Sequence, residues 1–167
     1  MIECEQYSRR ESLVISGIPE DIDHNALEDK VLDILWTSGL NIRKDEISAC
    51  HRLYKPRNSR YPARVVVRFV NRKVAQIMLS RRKQNQVEVK RVLGLNIRFY
   101  ESLCCRNEEV LRLCNWLSDQ GMIHNHYLRN GFVKIIVNEG DRPFKICHPN
   151  VIKTKFQIPD DYDQRRP

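Results

Sequence analysis

The sequence predicts an α+β chain of two domains, a larger one with the element order β-α-β-β-α-β and a smaller one built from a helix and an antiparallel hairpin. Three patterns carry this prediction. Residues Ala63 to Val70 alternate between an apolar face and a mixed face, apolar residues recur at helical spacing from Leu27 to Leu35, and Asn130-Gly131 separates two strand-like runs. A chain of 167 residues, 41% of them hydrophobic, suits two small domains.

The first half of the larger domain predicts three strands and one long helix. Its elements are a strand within Glu11–Pro19, a helix from Asp23 or His24 to near Gly39, a strand at Glu46–Leu53, a basic loop at Lys55–Pro62 and a strand at Ala63–Val70. In the last strand, alternate residues from Ala63 to Phe69 are apolar, and we expect them to face the core.

The second half predicts one more helix and a final strand. Apolar spacing indicates a helix over Arg72–Lys83, whose cationic end Arg81-Arg82-Lys83 suits a helix C-terminus. We expect Val87–Leu95 to be a turn region with a short hairpin, and Asn96–Tyr100 to be a strand. The resulting order is that of a ferredoxin-like RNA-recognition-motif domain, spanning residues 11–103.

The smaller domain is predicted over residues 104–150. It holds a helix from about Asn107 to Gln120 and strand-like runs at Met122–Leu128, Phe132–Asn138 and Pro143–Cys147. Residues 1–10 are expected to be a basic lead-in, and residues 151–167 a C-terminal tail.

The positive charge is concentrated in the middle of the chain. Sixteen of the 29 Lys and Arg residues lie between Asn41 and Tyr100 against three acidic residues, so this segment carries more than the whole net charge of +8. Residues 51–70 contain no acid at all. Such a basic surface favours a polyanionic partner.

The predicted sheet presents arginines where a usual RNA-recognition motif presents rings. Val14 on the first strand, with Arg64 and Val66 on the third, replace the aromatic residues that normally stack on bases. We expect Arg64, Arg68 and Arg98 to share the open face with Arg52 beside them. The basic loop adds Lys55, Arg57 and Arg60, and the candidates for base stacking are Tyr54, Tyr61 and Tyr100.

Catalytic and metal sites are not predicted. The sequence has no GxGxxG or GxxxxGK[ST] loop, no evident nucleophile with a base, and no zinc spacing around His124 and His126. We therefore expect no enzyme activity and no cofactor. The cysteines lack a CxxC pair, the N-terminus MIECEQYSRRES is not an apolar leader, and no run is long enough to span a membrane, which predicts an intracellular protein.

Several ordered segments resemble one family. "YSRRESLVISGIPE", "ISACHRLYKPR", "ARVVVRFVN" and "NIRFYESL" resemble the central domain of the first-open-reading-frame proteins of LINE-type retrotransposons, which are RNA-binding chaperones. "ESLCCRNEEVLRLCNWLSDQG", "YLRNGFVKIIV" and "FKI" resemble their C-terminal domain and the few-polyhedra proteins of insect baculoviruses. Together these segments cover about Tyr7 to His148.

The resemblance implies a ribonucleoprotein component, cytoplasmic or nuclear, that clamps single-stranded RNA or DNA between two domains. The interface would also include Arg9 and Arg10, which precede the first strand. On the hairpin of the smaller domain it would include Arg129 and Lys134. A trimer is expected only if a coiled coil lies upstream of this chain. We expect single-stranded RNA to be preferred and sequence specificity to be low, although the 2′-hydroxyl contacts that discriminate RNA from DNA leave no pattern in the sequence. An interaction module for viral or particle assembly, as in the few-polyhedra family, remains the alternative.

Overall fold

The computed structural model describes residues 2–55 and 57–159, without the side chains of residues 2–4. In this part of the chain it contains six α-helices and two antiparallel sheets, which confirms the α+β class. The helices are α1 Ile2–Ser8, α2 His24–Thr37, α3 Arg72–Ser80, α4 Arg82–Leu93, α5 Cys105–Asp119 and α6 Pro149–Phe156. The strands are β1 Ser12–Ser16, β2 Ile47–Arg52, β3 Val65–Phe69, β4 Arg98–Glu101, β5 Asn125–Arg129, β6 Phe132–Ile136 and β7 Phe144–Ile146.

The chain divides into two compact units, one inserted into the other. Tyr7–Ser102 forms the inserted unit, and residues 2–6 together with 103–159 form the described part of the outer unit. The buried Gln6 ties the early segment to the later one, because its Oε1 accepts hydrogen bonds from the Cys104 N–H at 2.9 Å and from Asn107 Nδ2 at 3.1 Å. Residues 2–6 are thus part of a folded unit, whereas we had expected residues 1–10 to be a lead-in.

The inserted unit is built on a four-stranded sheet in the order β2-β3-β1-β4. Apolar residues of all four strands enter one core with α2, α3 and α4 on one side of the sheet. Val65, Val67 and Phe69 are fully buried in this core, as the alternation predicted. The opposite side of the sheet is not covered by these helices, and we call it the open face.

The segment that we predicted as a turn with a hairpin is helical instead. Residues 87–93 complete α4, which buries Val89 against the core and ends at Gly94 with φ +67°. Val87 and Val89 are spaced as in a strand, but Val89 and Val92 are spaced as in a helix, and the residues between the valines are good helix formers. The prediction for Val87–Leu95 was therefore wrong, and Arg82 and Lys83 begin a helix rather than ending one.

The outer unit packs α5 and α6 against the sheet β5-β6-β7. Asn130 and Gly131 both have positive φ, at 55° and 80°, and connect β5 to β6 with the two-residue turn that their sequence predicted. The expected tail begins with a helix, because Ile152 and Ile158 are buried in the same apolar cluster as α5. Residues 160–167 of that tail lie outside the described residues.

The helices do not suit a membrane-spanning role. None of those in residues 2–55 and 57–159 combines the length and the apolar character that crossing a bilayer requires.

Candidate nucleic-acid interface

The open face of the first sheet is lined by the residues that alternate with the core. Strand pairing sets Val14 of β1 opposite Val66 of β3 on one side and Tyr100 of β4 on the other. Ser16 pairs with Arg98 in the same way. Val14 and Val66 therefore lie at the centre of this face, and Tyr100 brings one ring beside them from the edge strand.

A cavity of about 690 Å³ opens at one end of this face, and we call it the tyrosine cavity. Its walls come from the ends of β1 and β4 and from the basic loop. The lining residues are Ser16, Gly17, Tyr54, Lys55, Ser59, Tyr61, Pro62, Arg64, Asn96, Arg98 and Tyr100. Six of them were predicted from the sequence, and the structure brings these six together around one concavity.

The tyrosine side chains that line the cavity are exposed to solvent rather than packed in the core. Tyr54 is 90% exposed and Tyr61 is 80% exposed, so neither ring contributes much to the core. Tyr100 is 39% exposed, on the sheet itself. Large rings that stay in water are available to stack on a planar ligand, and three cations, Lys55, Arg64 and Arg98, lie around them.

Arg52 does not lie on the open face, contrary to our expectation. An irregularity in the β2–β3 pairing between Ile47 and Ala49 shifts the register, so that Arg52 pairs with the core-facing Val65. Its guanidinium donates to the carbonyl oxygens of Ile18 and Ala63, each at 3.2 Å, and to that of Pro19. Arg52 therefore fastens the base of the basic loop to the loop after β1.

Substituting Arg52 should destabilise the fold rather than only weaken binding. In Arg52→Met the three carbonyls lose a charged donor, and we expect the free energy of unfolding to fall by about 2 kcal/mol in a denaturant titration. The exposed Arg60→Met is the matched control and should change it by less than about 0.5 kcal/mol. Equal effects of the two variants would contradict this role.

Glu20 holds the same loop from a second side. Its Oε2 accepts a hydrogen bond from Lys55 Nζ at 2.8 Å, its Oε1 accepts one from the Ala63 N–H at 2.9 Å, and Lys55 Nζ also lies 2.7 Å from Oε1 as an ion pair. The hydrogen bond from Lys55, followed by that from Ala63, lowers the pKa of Glu20 below its ordinary value of 4.5. Lys55 thus lines the cavity while it is paired, which positions its ammonium group.

The hydrogen bonds that Glu20 accepts from Lys55 and Ala63, which we call the Glu20 clamp, should be lost in acid. Because the folded-state pKa is the lower one, its stabilisation is complete above pH 4.5 and is lost as the pH falls through the lowered value. We expect the protection factor of the Ala63 amide, the exchange rate of an unfolded chain divided by its own at the same pH, to fall at that point in an NMR titration. Glu20→Gln should remove this pH dependence, and a Glu20 carboxyl that titrates at or above 4.5 would contradict the clamp.

Arg68 lies on the open face as predicted but outside the tyrosine cavity. It pairs with Ser12 of β1, and its guanidinium donates two hydrogen bonds to one oxygen of Glu11, at 3.0 and 3.2 Å. This ion pair partly neutralises the charge of Arg68. Arg64 and Arg98 line the cavity, so substitutions at these two positions test its role in binding directly.

The remaining predicted residues lie apart from the cavity lining. Arg9 and Arg10 are half-buried in the turn before β1, and the Arg10 guanidinium lies over the Tyr7 ring at 4.9 Å. Arg57 and Arg60 are exposed in the basic loop. In the outer unit, Arg129 is exposed at the end of β5, and Lys134 pairs with Tyr127 on the side of the sheet away from the apolar cluster.

The cavity also contains polar groups that the sequence did not single out. Ser16, Ser59 and Asn96 line it, and His51 is exposed on the open face, where it pairs with Val66. The strand alternation that placed Arg52 wrongly would have indicated His51 had the irregularity in β2 been known. Hydroxyl and amide groups of this kind hydrogen-bond to phosphates and to base edges.

Metal binding has no candidate in the described ranges 2–55 and 57–159, where no group of three or more His, Cys, Asp or Glu side chains is placed to hold an ion.

Comparison with known proteins does not assign the chain to a family. No protein-family model matches the sequence, and no curated protein matches it significantly.

Proposed function

We propose that this protein binds single-stranded nucleic acid with low sequence specificity, preferring RNA, and acts as a nucleic-acid chaperone in a retroelement type of ribonucleoprotein. The observation that carries the proposal is the tyrosine cavity, in which three rings and three cations meet on the open face of a sheet. Exposed rings suit unstacked bases, and cations suit the phosphates between them.

The fold that we propose for the inserted unit agrees with this function. The element order, with the two helices α3 and α4 in place of the second helix, and the strand order β2-β3-β1-β4 support a ferredoxin-like arrangement of the RNA-recognition-motif type. In such domains single strands lie across the open face of the sheet. The resemblance to LINE-type first-open-reading-frame proteins supports the same function and remains part of the proposal.

The binding mechanism that we propose is electrostatic attraction followed by stacking. Arg64 and Arg98 would pair with phosphates or stack on bases, and Lys55 would add a point charge positioned by Glu20. Tyr54, Tyr61 and Tyr100 would each accept a base. Stacking does not discriminate strongly among bases, so specificity would be low and release would be fast enough for strands to exchange.

The test is the affinity of Arg64→Ala/Arg98→Ala for a labelled 20-mer single-stranded RNA, measured by fluorescence anisotropy at several salt concentrations. Loss of two phosphate contacts should lower the magnitude of the salt slope by about 1.4. The matched control is Arg43→Ala/Lys44→Ala, which also removes two positive charges. In the wild type Arg43 forms an ion pair with Asp45, and Lys44 forms one with Asp29. This control should bind nearly as well as the wild type.

Competition separates the ligand classes in the same assay. Duplex RNA should compete poorly because its bases cannot reach the rings, and single-stranded DNA measures the preference for RNA. Binding that ignores strand type and is unchanged in Arg64→Ala/Arg98→Ala would overturn the proposal. The alternative function, an interaction module for viral or particle assembly that uses the open face, would then be the one to test.

A further inference from the structure

A second basic surface lies on the helices of the inserted unit. The segment from Arg72 to Leu93, which forms α3 and α4, holds seven cations and one acidic residue, Glu88. All seven cations are exposed, and we call the surface that they form the helix-side surface. Its cations are Arg72, Lys73, Arg81, Arg82, Lys83, Lys90 and Arg91. Glu88 forms an ion pair with Arg91, so its charge is matched by one cation of the seven.

The helix-side surface and the tyrosine cavity belong to different sides of the sheet. Ala75 and Met78 of α3, with Val89 of α4, are buried in the core that lies between these helices and the sheet. The exposed residues of the two helices therefore point away from the open face. A ligand strand in the cavity leaves the helix-side surface accessible.

The positive charges at the start of α4 are not explained by local helix stability. Arg82 and Lys83 occupy its first turn, which contains no acidic residue. The positive end of the helix dipole disfavours cations there. Arg81 is the exception, because it is also the C-cap of α3, where the negative end of the helix dipole favours a cation. A binding partner with negative charge would offset this repulsion.

Lys83 and Lys90 are aligned for an extended partner. They are seven residues apart on α4 and so lie on the same side of the helix, separated by about 10 Å along its axis. Val87 lies between them with its side chain mostly exposed. A row of two ammonium groups with an apolar contact between them suits a chain of phosphates and sugars.

We propose that the helix-side surface binds a second nucleic-acid strand while the tyrosine cavity holds the first, so that one chain brings two strands together for annealing. This inference rests on the proposed function and adds a mechanism for the chaperone activity. Binding to the helix-side surface is through phosphates, whereas binding in the cavity also uses rings.

The test compares two double variants of the full chain. Lys83→Gln/Lys90→Gln removes two charges from the helix-side surface, and Arg43→Gln/Lys44→Gln removes two from the acidic neighbourhood of Asp29 and Asp45. Glutamine is a good helix former, so α4 should remain intact, which circular dichroism checks. The readouts are the affinity for one labelled 20-mer RNA and the rate at which it anneals to its complementary strand.

We expect Lys83→Gln/Lys90→Gln to keep its affinity for the first strand within about twofold and to anneal about tenfold more slowly than the wild type. The salt slope of the annealing rate should fall in magnitude by about 1.4, for two lost phosphate contacts. The variant at Arg43 and Lys44 should anneal like the wild type.

Two results would overturn the second-strand proposal. One is equal annealing rates for the two double variants, which includes the case in which the wild type does not accelerate annealing. The other is a loss of first-strand affinity in Lys83→Gln/Lys90→Gln as large as that in Arg64→Ala/Arg98→Ala, which would indicate one continuous site. Failure of the proposed function itself looks different, because Arg64→Ala/Arg98→Ala would then bind the first strand normally.

Discussion

Replacing Tyr54 and Tyr61 together with alanine should weaken the binding of single-stranded RNA by at least about 30-fold, the largest effect on affinity that we expect. Each base stacked on an aromatic ring contributes about 1–3 kcal/mol, so the loss of two rings amounts to about 2–6 kcal/mol if both stack. Stability should hardly change, because the two side chains are 90% and 80% exposed. Fluorescence anisotropy gives the affinity, and a denaturant titration gives the stability.

The matched control keeps the rings and removes only the hydroxyl groups. Tyr54→Phe/Tyr61→Phe should bind within a few fold of the wild type if stacking is the source of the affinity. If the phenylalanine variant is as weak as the alanine variant, the tyrosines act through their hydroxyl groups. If neither variant loses affinity, no base stacks on these two rings.

Replacing Gly17 with alanine should have the largest effect on stability, with a loss of about 2–5 kcal/mol. Gly17 has φ +90°, and an added Cβ would lie 2.3 Å from the carbonyl oxygen of Asn96. The left-handed backbone costs an alanine about 1–2 kcal/mol, and the clash adds about 1–3 kcal/mol. Because Gly17 and Asn96 both line the tyrosine cavity, affinity for RNA should fall with stability.

Gly39 separates the two contributions to this loss. It has φ +80° but nothing within 4 Å of an added Cβ. Gly39→Ala should therefore lose only the backbone part, about 1–2 kcal/mol, and should bind RNA normally. Equal losses for Gly17→Ala and Gly39→Ala in a denaturant titration would show that the backbone at Asn96 moves away without cost.

Patterns within a few residues predicted much of the structure correctly. The alternation from Ala63 to Phe69 identified the buried face of β3, and the Asn130-Gly131 pair identified the hairpin of the outer unit. Each of these signals acts locally, through side-chain direction or through backbone φ. The gathering of six predicted residues around one cavity follows from the same strand alternation together with the loop composition.

The errors arose where distant contacts decide the outcome. Val89 is helical because α4 buries it against the core, although Val87 and Val89 are spaced as in a strand. The irregularity in β2 that turns Arg52 away from the open face depends on its pairing with β3. Residues 149–156 form a helix because Ile152 finds an apolar cluster built by α5 and the second sheet. None of these partners is adjacent in the sequence.

The insertion of one unit into the other sets an order for the protein's synthesis. Gln6 leaves the ribosome before its partners Cys104 and Asn107, which are 98 and 101 residues further along the chain. At about 5–20 residues per second, Gln6 waits roughly 5–20 s for them. Tyr7–Ser102 contains its own core and is complete once Ser102 has been made, before the remaining residues of the outer unit have followed. The nascent chain would therefore acquire its tyrosine cavity before the outer unit is complete, and nucleic acid could bind while translation is still under way.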